Sequence, residues 1–292
     1  MIAAPPPYRD ELLGSALIRA CRHYRMNPQA LMQHCLGHNG GSNLLYCRHL
    51  PELSKLFNMP AEGLAWRHTT LPFCTAALFE WQEAKVLDEL SENSVPSSEA
   101  TSYLITQRSE LKSRMFCLDC VADDLRRAGE SFWHRCHHLP LVAVCPIHGL
   151  YLVRSSIKIE SSVRLLPQDC SGEPVLTGRV APVLLLHALL AYGALVHRPR
   201  RSWVAHIVSG LLRSKDLDTS GVLSPRMASA MRASIPADYW SLNRSAAGGG
   251  EGRRWLPMVQ SHFTSKYLLL EAVRTTYLDA PGADIRLASA SE

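Results

Sequence analysis

CLDCVADDLRRAGESFWHRCHHLPLVAVCPIHG, residues 117–149, holds four cysteines and four histidines in 33 positions. Two pairs within it share one spacing, Cys117-x-x-Cys120 and Cys145-x-x-His148. A two-residue gap lets a tight turn aim both side chains at one point, and two such knuckles complete a tetrahedron around zinc. The 24 residues between the pairs suffice for a short helix and a returning strand. VADDLRRAG predicts the helix, with Asp123 and Asp124 in its first turn, Arg126 and Arg127 in its last, and Gly129 as its stop. LPLVAVC predicts an extended lead into the second knuckle, and Leu150 to Val153 a strand beyond it.

His134, Cys136, His137 and His138 compete for the same metal. On a segment read as extended, neighbouring side chains point to opposite faces, so these four cannot all converge. Cys136 lacks a partner at knuckle spacing. The assignment is therefore Cys117, Cys120, Cys145 and His148, with the other four as packing or surface groups. Four protein ligands close the coordination shell, whereas catalytic zinc keeps a position for water. HExxH and the HxE…PCxxC signature are both absent from the sequence. The expected ion is a structural Zn2+ that folds a segment with too small a core of its own. GxxxxGK[ST], GxSxG and the kinase signatures are missing as well, so no enzyme activity is expected.

The rest of the chain is read around this segment. Its 292 residues are nearly half apolar and carry a net charge of +5. Only six of the 31 basic residues are lysines, and arginine suits phosphate and carboxylate partners. MIAAPPPYRDEL lacks the basic and apolar regions of a signal peptide, which points to the cytoplasm, where nine cysteines are thiols or metal ligands. Val180 to Val196 is nearly all apolar but shorter than the roughly 20 residues a membrane span needs, and reads as a buried helix.

Apolar periodicity predicts a helix pair over 11–36, with Arg19, Arg22 and Arg25 as a basic row on its outer side: a solvated face or a contact surface. A second pair over 50–68, with Pro51 and Pro60 at helix starts, has the outline of a helix-turn-helix. SENSVPSSEATS (91–102) is a linker. Further helices are expected near 180–197, 203–213, 223–234 and 261–278, the last with Phe263, Tyr267, Leu270, Val273 and Tyr277 on a buried face. Two basic clusters lie between them as candidate contacts for nucleic acid or a partner. One is Arg198, Arg200 and Arg201; the other is Arg253 and Arg254. The expected fold is mainly α with a small zinc-finger module. It divides into an N-terminal helix-turn-helix domain (1–90), the linker, the zinc module (103–155), a C-terminal helical domain (156–280) and a flexible tail (281–292).

Several motifs resemble the TniQ/TnsD family of bacterial transposition proteins. Phe132-Trp133-His134-Arg135, Leu139-Pro140 and Cys145-Pro146-Ile147-His148-Gly149 match its core signature after the CxxC knuckle. Glu11 to Arg19 resembles its N-terminal motif, and Thr70-Leu71-Pro72 its "TL" step. The resemblance covers residues 5 to 155. It implies target selection, in which such proteins recognise an insertion site and recruit an AAA+ transposition regulator of the TnsC kind. Some members read a chromosomal attachment site as DNA; others dock, in some systems as dimers, on a CRISPR effector complex with its guide RNA. A chain that stops at 292 with one knuckle pair favours the adaptor role. The arginine clusters suit DNA, RNA or an acidic protein face equally.

Overall fold

The computed structural model describes residues 3–36, 49–76, 80–91, 113–159, 161, 164–196, 202–217, 223–242 and 263–279. Most of these residues are helical. The two knuckles are brought together by a three-stranded antiparallel sheet of β1 (Ser113–Phe116), β2 (Val153–Lys158) and β3 (Gly172–Pro174), in the order β1-β2-β3. Phe116 pairs with Val153, so the chain entering the first knuckle lies beside the chain leaving the second. The strand expected over Leu150–Val153 lies further on: Tyr151 makes only an isolated bridge to Val144, and β2 runs from Val153 to Lys158 with β3 added beyond it.

Helices pack on both sides of this centre. In chain order they are α1 (Leu13–His23), α2 (Pro28–Leu36), α3 (Leu50–Phe57), α4 (Ala61–His68), α5 (Leu71–Thr75), α6 (Glu80–Ser91), α7 (Leu118–Ala128), α8 (Pro182–Val196), α9 (Ser202–Arg213), α10 (Pro225–Ser234), α11 (Ala237–Leu242) and α12 (Phe263–Val273). The α3–α4 pair follows its sequence cues. Pro51 sits in the first turn of α3, where its missing N–H costs nothing, and Asn58 ends the helix in the left-handed region at φ 49°. Leu53, Leu56, Phe57 and Leu64 are buried between the helices and their neighbours. Helix α8 is apolar all round and packs against α5 and α12. Among the described residues no helix is long and apolar enough to cross a membrane. In α12, Tyr267, Leu270 and Val273 are buried as expected, whereas Tyr277, in the π-helical turn that follows, is exposed.

Trp133 ties the N-terminal segment to the sheet. It is fully buried among Leu12, Ile18, Phe116, Val153 and Leu166, and its indole N–H donates to the Leu165 carbonyl at 3.0 Å. Its backbone N–H donates to Ser15 Oγ and its carbonyl accepts from the Leu12 N–H. Residues 8–19 thus share a core with residues 130–136, although sequence patterning assigns the two stretches to separate domains.

This docking corrects the basic row. Arg19 faces inward: its guanidinium is held by Glu11 and Glu130, each at 2.8 Å, and lies over the ring of Tyr8. Glu11 is wholly buried. Burial pushes its carboxyl up to about 7 against the pull of Arg19 and three hydrogen bonds, from Tyr8 N–H, Ser15 Oγ and Arg19 itself. The physical reason is that helix periodicity places Arg19 by its own turn alone, while two carboxylates from elsewhere decide which way it points. Arg22 stays at the surface, paired with Asp169, and Arg25 is exposed at φ 56° just past the end of α1.

Other expectations fall on residues outside the described ones. These are the linker beyond Ser91, the side chain of Phe263 and the 281–292 tail. Both basic clusters are among them: Arg198, Arg200 and Arg201 in the first, and Arg253 and Arg254 in the second.

The buried charges set two expectations. Arg19→Ala leaves Glu11 uncompensated and is expected to cost about 3–5 kcal/mol in urea unfolding; a loss below about 1 kcal/mol would return Arg19 to the surface row. Burial also holds His68 and His138 neutral, each down at about 4. His68 donates from Nδ1 to the Glu11 carbonyl, while His138 donates from Nδ1 to the His134 carbonyl and accepts the Met115 N–H at Nε2. The unfolded chain takes up these protons near the ordinary histidine value of 6.5, so the stability they confer is complete above 6.5 and lost as pH falls toward 4. Between pH 7 and 5, with metal content monitored, His68→Gln should lower the pH slope of stability by up to about one proton. An unchanged slope would mean that His68 titrates normally.

Candidate metal centre

Cys117, Cys120, Cys145 and His148 converge, with one donor atom from each lying within 4.8 Å of every other. Local structure accounts for each pair. Cys117 is the extended N-cap of α7 and Cys120 lies in the first turn, so three residues of helix bring both sulfurs to one side. Beyond Leu139, Val144 and Tyr151 pair across a tight hairpin. The Cys145 N–H donates to the Leu150 carbonyl at 2.8 Å and the Gly149 N–H to the Cys145 carbonyl at 2.9 Å. Gly149 closes that turn at φ 66°, a conformation that strains any residue with a Cβ.

The distances suit a metal. Tetrahedral zinc with Zn–S near 2.3 Å sets sulfur–sulfur edges of about 3.8 Å. Cys120 and Cys145 sulfurs are 3.7 Å apart, and His148 Nδ1 lies 3.3 Å from Cys120, 3.7 Å from Cys117 and 3.7 Å from Cys145. The three thiols also perturb one another. Hydrogen bonds from Cys120 and Cys145 hold the Cys117 thiol far below the ordinary range, and its thiolate pushes Cys120 far up and Cys145 up to about 12. Three sulfurs this close ionise together only around a cation. The quartet is thus a site able to hold a metal ion. His148 Nε2 faces Asp123 Oδ2 at 3.5 Å, the carboxylate–histidine arrangement that orients a ligating imidazole.

The neighbouring residues depart from the sequence reading. Arg135–His138 form a 3-10 turn, not an extended strand, and His134, Cys136, His137 and His138 are all buried, so none is a surface group. His137 lies with Nε2 3.7 Å from Cys120 Sγ, and burial holds its imidazole well below the usual value. His134 Nε2 is 3.0 Å from Asp124 Oδ2, and its Nδ1 faces Asp10 Oδ2 at 3.5 Å. Burial alone would lower the His134 imidazole, but the two carboxylates raise it to about 9. Asp10 Oδ1 accepts from Arg135 Nε at 3.2 Å. Asp123 and Asp124 are not in the first turn of α7, because the helix begins at Leu118. They stand three and four residues after Cys120, a spacing that sets Asp123 beside His148 and Asp124 beside His134.

A mostly helical scaffold that converges on a buried Cys3His quartet is the class of protein defined so far. The TniQ family model matches residues 2–152, the N-terminal helices together with the whole quartet, and the chain belongs to the TniQ family. The transposon Tn7 transposition protein TnsD of Escherichia coli is 26% identical over 155 residues, which are 50% of this chain and 30% of that protein. This chain therefore matches less than a third of the length of that relative.

Replacing Cys117 or Cys145 with serine is expected to strip the quartet's metal and leave residues 113–158 unfolded, read by metal analysis and by proteolysis of the 113–158 segment. His148→Cys, which keeps four donors, should retain the metal. A folded Cys145→Ser protein with unchanged metal content would refute the ligand assignment.

Proposed function

We propose that this protein selects target sites for transposition, as an adaptor between a target-recognition complex and an AAA+ regulator of the TnsC kind. The recognition complex is a CRISPR effector with its guide RNA. The observation that carries the reading is the family match over 2–152, supported by the likeness to a Tn7 transposition protein. The quartet holds a structural Zn2+ in this reading: it fixes the shape of a binding module and takes part in no reaction, and the protein is not an enzyme. It acts in the cytoplasm, on the nucleoid, and pairs as a homodimer.

An adaptor needs surface for protein partners. Leu118, Ile147 and Leu150, which flank the metal ligands along the chain, are 61%, 50% and 42% exposed. Apolar side chains so exposed on a rigid module are suited to a protein interface. A second reading is direct recognition of an attachment site, with the α3–α4 helix-turn-helix as reader and the exposed Arg25, Arg126 and Arg127, which lie outside that pair, as phosphate contacts.

Affinity capture of the tagged protein from cells expressing the neighbouring genes, with proteins and nucleic acids both identified, separates the two. Guide RNA and effector subunits are expected alongside an AAA+ protein. One genomic locus without guide RNA would establish the direct reader instead.

A further inference from the structure

Beside the quartet lies a second set of donors. Asp10, His134 and Cys136 place one donor atom each within 4.8 Å of the others, and all three residues are buried. They come from two distant parts of the chain: the N-terminal lead supplies Asp10, and the turn before Leu139 supplies His134 and Cys136. We propose that Asp10 Oδ2, His134 Nδ1 and Cys136 Sγ form a second binding site for a divalent cation of the zinc class, distinct from the Cys3His quartet.

The argument starts at His134. Its Nε2 lies 3.0 Å from Asp124 Oδ2, so Nε2 carries a proton, and Nδ1 either carries a second one or offers a lone pair to a metal ion. That nitrogen is buried with no hydrogen-bond partner, and it faces a carboxylate oxygen at 3.5 Å. A bare lone pair against a carboxylate is repulsive, so a cation, a proton or a metal ion, belongs between them. A proton would draw the two atoms to within about 2.9 Å. Two ligands of one tetrahedral zinc, at bond lengths near 2.0–2.2 Å, stand about 3.4 Å apart, which is the spacing observed. The Cys136 thiol adds nothing to a proton bridge but is a preferred zinc donor, and binding the cation displaces its proton.

The surroundings are those of a metal site. Asp124 supports the imidazole, and Arg135 Nε engages Asp10 Oδ1, leaving Oδ2 to turn toward His134 and the Cys136 N–H. Outer partners of this kind orient ligands and strengthen their donor character. The formal charges balance: Asp10, Asp124 and the Cys136 thiolate against Arg135 and a divalent ion sum to zero. Three protein donors leave one tetrahedral position for water. Because Asp10 is 124 residues from His134, the site assembles only when the N-terminal lead docks, and the ion would staple that lead to the knuckle module.

The test is metal stoichiometry. Full-length protein is saturated with zinc, freed of excess, and counted by native mass spectrometry and elemental analysis. Two zinc ions per chain are expected, falling to one in Cys136→Ser and in Asp10→Asn. Cobalt supplies a measurement that needs no variant. The three-thiolate quartet and the one-thiolate second site should give sulfur-to-cobalt charge-transfer bands in a ratio of about 3:1 per ion. One ion per chain at saturation would overturn the proposal in favour of a protonated His134. So would two ions in Cys136→Ser, or a second cobalt without a thiolate band.

Discussion

Three thiols and an imidazole packed within 4.8 Å of one another are the constraint on which the centre of this protein depends. Left as neutral thiols they would waste one of the best-shielded positions in the fold; as thiolates they would repel. Their placement makes sense only with the sheet that enforces it. Pairing Phe116 with Val153 sets the helical knuckle beside the hairpin knuckle, and the turn closed by Gly149 aims His148 back at the sulfurs. Between the knuckles Phe132, Trp133, Leu139, Val142 and Val144 are buried, so this segment is held by their packing, by ligation and by what docks onto it.

What docks is the N-terminal lead. Its interactions with residues 130–136 are mostly polar and mostly buried: Arg19 between Glu11 and Glu130, Arg135 on Asp10, His134 between Asp10 and Asp124, and backbone hydrogen bonds on either side of Trp133. Buried ionic groups contribute less net stability than apolar packing of the same volume. They do impose register, because any slip strands a charge away from water. The helices of the N-terminal region are thereby held at one orientation to the knuckle module. For a protein whose proposed task is to bridge two partners, a fixed angle between its binding surfaces matters more than a large stability margin.

The family match ends at residue 152, one residue before β2 begins. Helices α8 and α12 lie beyond it, yet α8 packs on α5 and approaches the 3-10 turn at 135–138. The Tyr239 hydroxyl, in α11, donates to the Leu141 carbonyl at 2.8 Å. The C-terminal helices therefore brace the segment that carries Cys136 and the His triplet, whatever separate contacts they make.

The sequence by itself determined most of the longer helices, the two knuckles and the four residues of the quartet. Each of these is local: a 3.6-residue period, a proline at a helix start, a two-residue gap that a single turn converts into a shared focus. It could not show that Arg19 turns inward, that His134 to His138 wind into a buried 3-10 turn, or that Asp10 meets His134 and Cys136. Those outcomes depend on partners more than a hundred residues away. Only tertiary packing brings such groups within reach, because a charged side chain takes its direction from the opposite charge it meets, not from its own place on a helix.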